Sequence, residues 1–224
     1  MPDTTPVRRS SLRQQIADGL RDEVLTGRLQ AGRHFTVKEI AELYGVSATP
    51  VREALVDLAA QGLLDLEQHR GFQVRRFTYD EFRSMVAARI FVAEGIFRRV
   101  TERGPIAMDP AALASVRRRA ESAARAARAG ELDILIGHDL RFWREIMALA
   151  GNAHVGEFLD RLRTHTWIYT VPLLRRERSL AGVCWSDHSE LAAAVADRDA
   201  VAAHRIVEAY DDHALALVDK LARS

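Results

Sequence analysis

The sequence predicts a mainly α protein: an N-terminal winged helix-turn-helix with a small β-hairpin wing, then a C-terminal antiparallel bundle of about six helices. Three observations predict it. Helical spacing of apolar residues breaks and restarts within Val37 to Leu55, VKEIAELYGVSATPVREAL. Two alternating segments then flank a short polar turn between Gly62 and Arg76. From Thr78 onward only helical periodicity occurs, with no further strand signal.

The elements follow in order. Leu12, Ile16, Leu20, Val24 and Leu25 make an amphipathic first helix. Val37, Ile40, Ala41 and Leu43 or Tyr44 repeat at helical spacing in the second. Gly45 ends that helix, because glycine tolerates the left-handed geometry common at a C-terminus. Ser47 is expected to cap the third helix through its hydroxyl, and Pro50 falls in the first turn, where a missing N–H costs nothing. Val51, Leu55 and Leu58 form its inward stripe. This pattern fits an ordinary helical hairpin as well as a helix-turn-helix, whose second helix enters the DNA major groove. The following segment favours the latter. Gly62 to Glu67 and Phe72 to Arg76 read as a β-hairpin turning through Gln68-His69-Arg70-Gly71, the position of a wing. The domains are therefore set at 1–77 and 78–224.

In the second half, helices are expected at about 78–103, 109–129, 131–150, 152–174, 183–196 and 198–222. Their breaks are Gly104-Pro105, Gly130, Gly151-Asn152, Ser179 to Gly182 and Asp197, with Asn152 a natural N-cap. Antiparallel helices of this length make a bundle. Arg117, Arg118, Arg119, Arg125 and Arg128 read as the solvated face of its second helix.

Composition bounds the function. The chain has 224 residues, 48% of them hydrophobic, enough for one or two packed domains. No run approaches the roughly 20 apolar residues that span a bilayer. The start, MPDTTPVRRSS, lacks an apolar signal region, and the single cysteine, Cys184, suits a reducing compartment, so a cytoplasmic protein without membrane partners is expected. Net charge is +1, and residues 1–77 hold eleven basic against ten acidic groups. Any nucleic-acid affinity must therefore come from where charges sit. Arg8, Arg9, Arg13, Lys38, Arg52, Arg70, Arg75 and Arg76 fall on the N-terminal arm, the motif helices and the wing.

Several polar groups sit on inward bundle faces. Arg89 lies in the stripe Phe82, Val86, Ala93, Ile96 and Val100. Asp139 lies among Leu132, Leu135, Ile136, Trp143, Ile146 and Met147. His188 lies with Trp185, Leu191, Ala192 and Val195. Tyr210 and His213 lie with Ile206, Leu217 and Leu221. Buried polar groups need partners, so their convergence implies either a structural network, such as Arg89 paired with Asp139, or a ligand pocket.

The run from Gly27 to Leu64, GRLQAGRHFTVKEIAELYGVSATPVREALVDLAAQGLL, resembles the N-terminal domain of GntR-family transcriptional regulators, with SATPVREAL close to their recognition-helix motif. The resemblance implies that Ser47, Thr49 and Arg52 contact DNA and that Lys38 touches phosphate, with Thr49 equally able to act as a local cap. Arg9 on the arm and Arg70 with Gly71 at the wing tip complete the expected contacts. The family usually has arginine directly after the serine. Ala48 stands there in this chain, so the operator bases cannot be copied from relatives. Residues 78–222 resemble the all-helical FCD effector domain of the FadR-type branch, in its shorter, VanR-like form. The matches are the early Arg89, DLRFW at Asp139, AGN at Ala150, DHSELAAAV at Asp187 and ADRDAVAAHRIVEAY at Ala196.

Many members of that branch hold a divalent metal through one aspartate and three histidines, a donor set that suits zinc, nickel or manganese. Asp139 and His188 match two of these positions. Trp143 and Tyr210 replace the other histidines, with His138, His165 and His213 as the nearest substitutes. A metal-free pocket is therefore expected, in which Arg89 and His188 hold an organic acid against Asp139, Trp143 and Tyr210. The resemblance implies a dimer on a palindromic operator, most often a repressor relieved by its ligand. The alternatives are a metal-dependent enzyme built on the bundle, which lacks a nucleophile motif, and a sequence-blind architectural DNA-binding protein.

Overall fold

The computed structural model describes residues 12–67, 70–103 and 108–223. The chain divides between Arg76 and Phe77 into two compact units. No helix among the described residues is long and apolar enough to cross a membrane.

The first unit is three helices and a three-stranded antiparallel sheet. Helix α1, Leu12–Leu25, buries Ile16, Ala17, Leu20, Val24 and Leu25. Helix α2, Val37–Tyr44, starts at a capping box. Its Thr36 hydroxyl accepts from the Glu39 N–H at 3.2 Å, while the Glu39 carboxylate accepts from the Thr36 N–H at 2.6 Å. It stops at Gly45, which is left-handed with φ 65°. Helix α3, Ala48–Ala60, buries Val51, Ala54, Leu55 and Leu58, the stripe the spacing predicts with one alanine added. Ser47 is its N-cap residue, but the hydroxyl makes no capping hydrogen bond. That expectation is corrected: the backbone turn alone starts the helix, and the exposed hydroxyl is left pointing off the fold.

The wing strands are β2, Leu64–Glu67, and β3, Gly71–Val74. A further strand, β1, His34–Phe35, pairs with the other edge of β3, giving the order β1-β3-β2. Two residues are too short to show a period, so only their pairing reveals them. Gly71 makes that pairing possible. It has φ +89°, and a Cβ there would meet the Phe35 carbonyl oxygen at 2.6 Å.

The second unit is a six-helix bundle: α4 Tyr79–Arg103, α5 Pro110–Ala129, α6 Leu132–Leu149, α7 Ala153–Leu174, α8 His188–Ala196 and α9 Ala200–Leu221. Asn152 caps α7, accepting from the Val155 N–H at 3.2 Å. The buried face of α5 is Val116 and five alanines, small enough for α6 to lie close against it. Arg117, Arg118, Arg125 and Arg128 are exposed, and Arg119 reaches Glu145 on α6 at 3.2 Å.

Two expected faces shift. Helix α8 begins at His188, so Trp185 packs from the preceding loop rather than from the helix. On α9 the fully buried residues are Ala203, Val207, Asp211, Val218 and Leu221. The expected stripe through Ile206, Tyr210, His213 and Leu217 lies one residue out of phase and is only half-buried. The expected break at Gly104-Pro105 lies outside the described residues.

Candidate nucleic-acid interface and bundle cavity

In the first unit, a surface groove runs between the start of α2, the side of α3 and the wing. It brings together Lys38, Arg52 and Gly71, with Val56 and Leu66 on its wall. Val56 is 51% and Leu66 69% exposed, more than apolar side chains gain by facing water. Ser47, Thr49 and Arg52 are exposed on the first turns of α3, and Arg70 is exposed at the wing turn. The Lys38 ammonium lies 3.8 Å from Glu42 one turn along α2, a loose solvent-exposed pair that a phosphate can displace. Two arginines grouped with these have structural partners. Arg13 pairs with Asp57 of α3 at 2.8 Å, and Arg76 donates to the Ala31 carbonyl at 3.2 Å. Arg8 and Arg9 lie outside the described residues, as do Gln68 and His69 of the wing turn.

In the bundle, Asp139 is a hydrogen-bond hub 2% exposed. Its Oδ1 accepts from Trp143 Nε1 at 3.1 Å and lies 3.0 Å from His188 Nε2, while Oδ2 accepts from Trp167 Nε1 at 2.8 Å. An acceptor carboxylate requires His188 to carry its proton on Nε2. His188 Nδ1 is buried without a partner. Around the hub the rings close up: Trp143 to Tyr210 at 4.8 Å, Trp185 to His188 at 4.5 Å and Trp185 to Tyr210 at 4.9 Å between centroids. Enclosure pushes the Tyr210 hydroxyl up to about 12, with the Asp139 charge adding to it. Cys184, also buried, is pushed up to about 11 by the same enclosure.

Arg89 does not pair with Asp139. Its Nη2 bonds Asp211 of α9, and its Nη1 donates to Thr166 Oγ1 at 3.3 Å. The phase of α9 explains the correction: Asp211, and not Tyr210, takes the fully buried position facing α4. Burial works against the Arg89 charge, but the surrounding oxygens outweigh it and hold Arg89 above its ordinary range. Burial raises Asp211, and Arg89 works against that rise. Arg89 and His188, the expected anion holders, are thus both committed to carboxylates of the protein.

Arg163 of α7 is the group that reading the sequence missed. It is 5% exposed and sits over Trp143, with Cζ 4.1 Å from a ring centroid. Its Nε and Nη1, like Arg89 Nε, are buried without a hydrogen-bond partner. Burial pushes its pKa down, and the Arg89 charge adds to that. The signal was present: Leu159, Arg163, Thr166 and Thr170 share one helical face, with the arginine inside it.

Arg163, Arg89, Asp211 and Trp143 line a cavity of about 150 Å³ whose other walls are mostly aliphatic, from Ala93 and Val100 to Met147 and Leu191. Asp139 and Tyr210 instead line a second space of about 60 Å³, with Cys184, Trp185 and His213.

The residues do not compose the four-ligand metal site. Trp143 and Tyr210 occupy two of its positions, and both Asp139 oxygens already accept N–H groups. His165 is drawn off to stack on Phe77 at 4.8 Å. Among the described residues, the ligand-type cluster that does converge is Glu94, His204 and Glu208, two exposed carboxylates and a half-buried imidazole.

Comparison with known proteins gives a family match in each half of the chain. Residues 12–74 match the family described as bacterial regulatory proteins, gntR family, and residues 84–213 match the FCD domain. An HTH-type transcriptional regulator in an unstable DNA locus of Streptomyces ambofaciens is 32% identical over 154 residues, covering 68% of this chain and 62% of that protein. A probable D-xylose utilization operon transcriptional repressor of Paenarthrobacter nicotinovorans is 38% identical over 92 residues, covering 41% of this chain and 40% of that protein. The chain therefore spans less than two thirds of these curated relatives. Among solved structures, Escherichia coli McbR/YncC shares the fold with a TM-score of 0.74 at 22% identity, over 95% of this chain and 99% of that one.

Proposed function

The chain belongs to the GntR family of bacterial regulatory proteins, with an FCD domain as its helical half, and on that premise we propose that it is a ligand-responsive, DNA-binding transcriptional regulator. It binds a palindromic operator as a homodimer, with its two α3 helices in successive major-groove faces about 34 Å apart. The single observation that carries this reading is the groove joining Lys38 and Arg52 to the wing at Gly71, beside the exposed start of α3. Arg52 reads bases, Lys38 holds phosphate, and Ser47, Thr49, Arg70 and Gly71 fix the register. Ala48 leaves a base position to be read by another group.

The helical half senses a small organic acid without a metal, in the cavity beside Trp143. Helix α7 offers a route from that cavity: Arg163 lines it, and His165, two residues on, stacks on Phe77 where the chain enters the bundle. A ligand shifts operator affinity only by its preference for one arrangement of this route. Repression relieved by ligand is the outcome we assign, in line with the role named for the Paenarthrobacter relative. The protein works in the cytoplasm, where its operator is.

The test is a band shift with the promoter beside its own gene against random competitor, across a salt series. Specific binding by a dimer is expected, in excess over random DNA at every salt concentration. Equal affinity for random DNA overturns the reading and favours an architectural role.

A further inference from the structure

We propose that Glu94, His204 and Glu208 form a binding site for one divalent transition-metal ion, with zinc as the best fit. Glu94 comes from α4, while His204 and Glu208 stand four residues apart on α9, a spacing that puts two side chains on one helix face. Two packed helices thus bring one imidazole nitrogen and two carboxylates together. The three residues are not part of the Asp139 hub and line neither bundle cavity. An ion held there ties the first helix of the bundle to the last.

The geometry is close to what a zinc ion needs. His204 Nε2 lies 3.0 Å from Glu94 Oε1 and 3.9 Å from Glu208 Oε1, and one donor atom from each residue falls within 4.8 Å of the others. Donors bonded to zinc at about 2.0–2.1 Å in a tetrahedron stand roughly 3.3 Å apart. The two imidazole distances straddle that separation, and rotation of the exposed carboxylates closes the rest. The imidazole is placed in advance. It stacks on Phe97 of α4 with centroids 4.6 Å apart and planes 28° from parallel, so its ring plane is held before an ion arrives.

The charge balance calls for a cation. Two carboxylates share one imidazole, and among the described residues neither has an ion pair with an arginine or lysine. Arg98 and Arg205, within about a turn of them on the same helices, reach neither. Protonation of His204 leaves one negative charge over. A divalent ion cancels both carboxylates and accepts the neutral nitrogen. Mixed imidazole and carboxylate donors suit zinc, nickel or manganese, whereas calcium and magnesium take oxygen. Three protein donors leave a fourth position for water.

The experiment uses the full-length protein, freed of metal with a chelator, and follows zinc chloride by calorimetric titration and thermal melting. One zinc per chain at micromolar affinity and a raised Tm are expected, with magnesium and calcium at equal concentration giving neither. His204→Asn and Glu208→Gln are each expected to weaken zinc about tenfold or more. Glu208 is exposed, so its variant keeps the test open even if His204→Asn destabilises the bundle. A His138→Gln, His213→Gln double variant is expected to bind zinc as the parent does. The proposal is overturned if the parent takes up no zinc below millimolar concentration, or if magnesium or calcium matches it. It is also overturned if binding survives Glu208→Gln and His204→Asn unchanged, which places the ion at the Asp139 hub or another histidine, or if the double variant loses it.

Discussion

The Trp167 indole N–H donates a 2.8 Å hydrogen bond to Asp139 Oδ2, from α7 to α6, while Trp143 and His188 take Oδ1. Carboxylate oxygens buried this deeply are costly without hydrogen-bond donors. Trp167→Phe removes this donor together with part of the indole ring. A loss of about 1–3 kcal/mol is expected, read as a lower urea midpoint at unchanged slope. An unchanged midpoint would mean that Oδ2 does not depend on the indole.

Arg89 and Asp211 form the other buried pair, with side chains 2% and 4% exposed. Asp211→Asn leaves the Arg89 charge without its counter-ion. The expected cost is about 3–5 kcal/mol, with much of it recovered when Arg89→Met is added. The measurement is a double-mutant cycle by chemical denaturation, and additive losses would contradict the pairing.

Burial lowers the pKa of His213, with a bond to the Val183 backbone and the Asp187 charge working against it, and burial followed by Arg141 lowers that of His138. Both refuse protons that the unfolded chain accepts at its ordinary value of 6.5. Stability is therefore unaffected by them above that pH and falls as the pH drops below it. Between about pH 7 and pH 5.5, the urea midpoint of a His138→Gln, His213→Gln double variant should fall less than that of the parent. Parallel curves would refute the assignment.

Arg52→Ala is expected to cost about 1–3 kcal/mol at the specific operator and to narrow its margin over random DNA. Lys38→Ala should instead weaken both DNAs alike and reduce the salt slope by about one. Competition band shifts at several salt concentrations separate the two. A uniform loss from Arg52→Ala would recast it as a phosphate contact.

Local chemistry was legible because it is local. The Gly45 stop, the α3 stripe, the Asn152 cap and the hairpin around Arg70-Gly71 each depend on neighbours within a turn or two. Strand β1 was not legible, since a two-residue strand exists only through its bond to β3. Nor was the role of Ser47, where a residue type good at capping stands in the right place and makes no bond.

By itself the amino-acid order determined two units, their helices and the polar groups bound for the interior. Only tertiary packing decided which of those groups met. Helix α9 carries adjacent apolar stripes, and a turn of one residue, about 100°, decides that Asp211 takes the fully buried position and bonds Arg89, while the half-buried Tyr210 lays its ring 5.0 Å from the Arg89 guanidinium carbon. Packing chose Asp211, which took Arg89 out of play and left Arg163 as the uncommitted charge. Helical periodicity is a property of one segment, whereas the rotation of a helix about its axis is set by the neighbours that bury it.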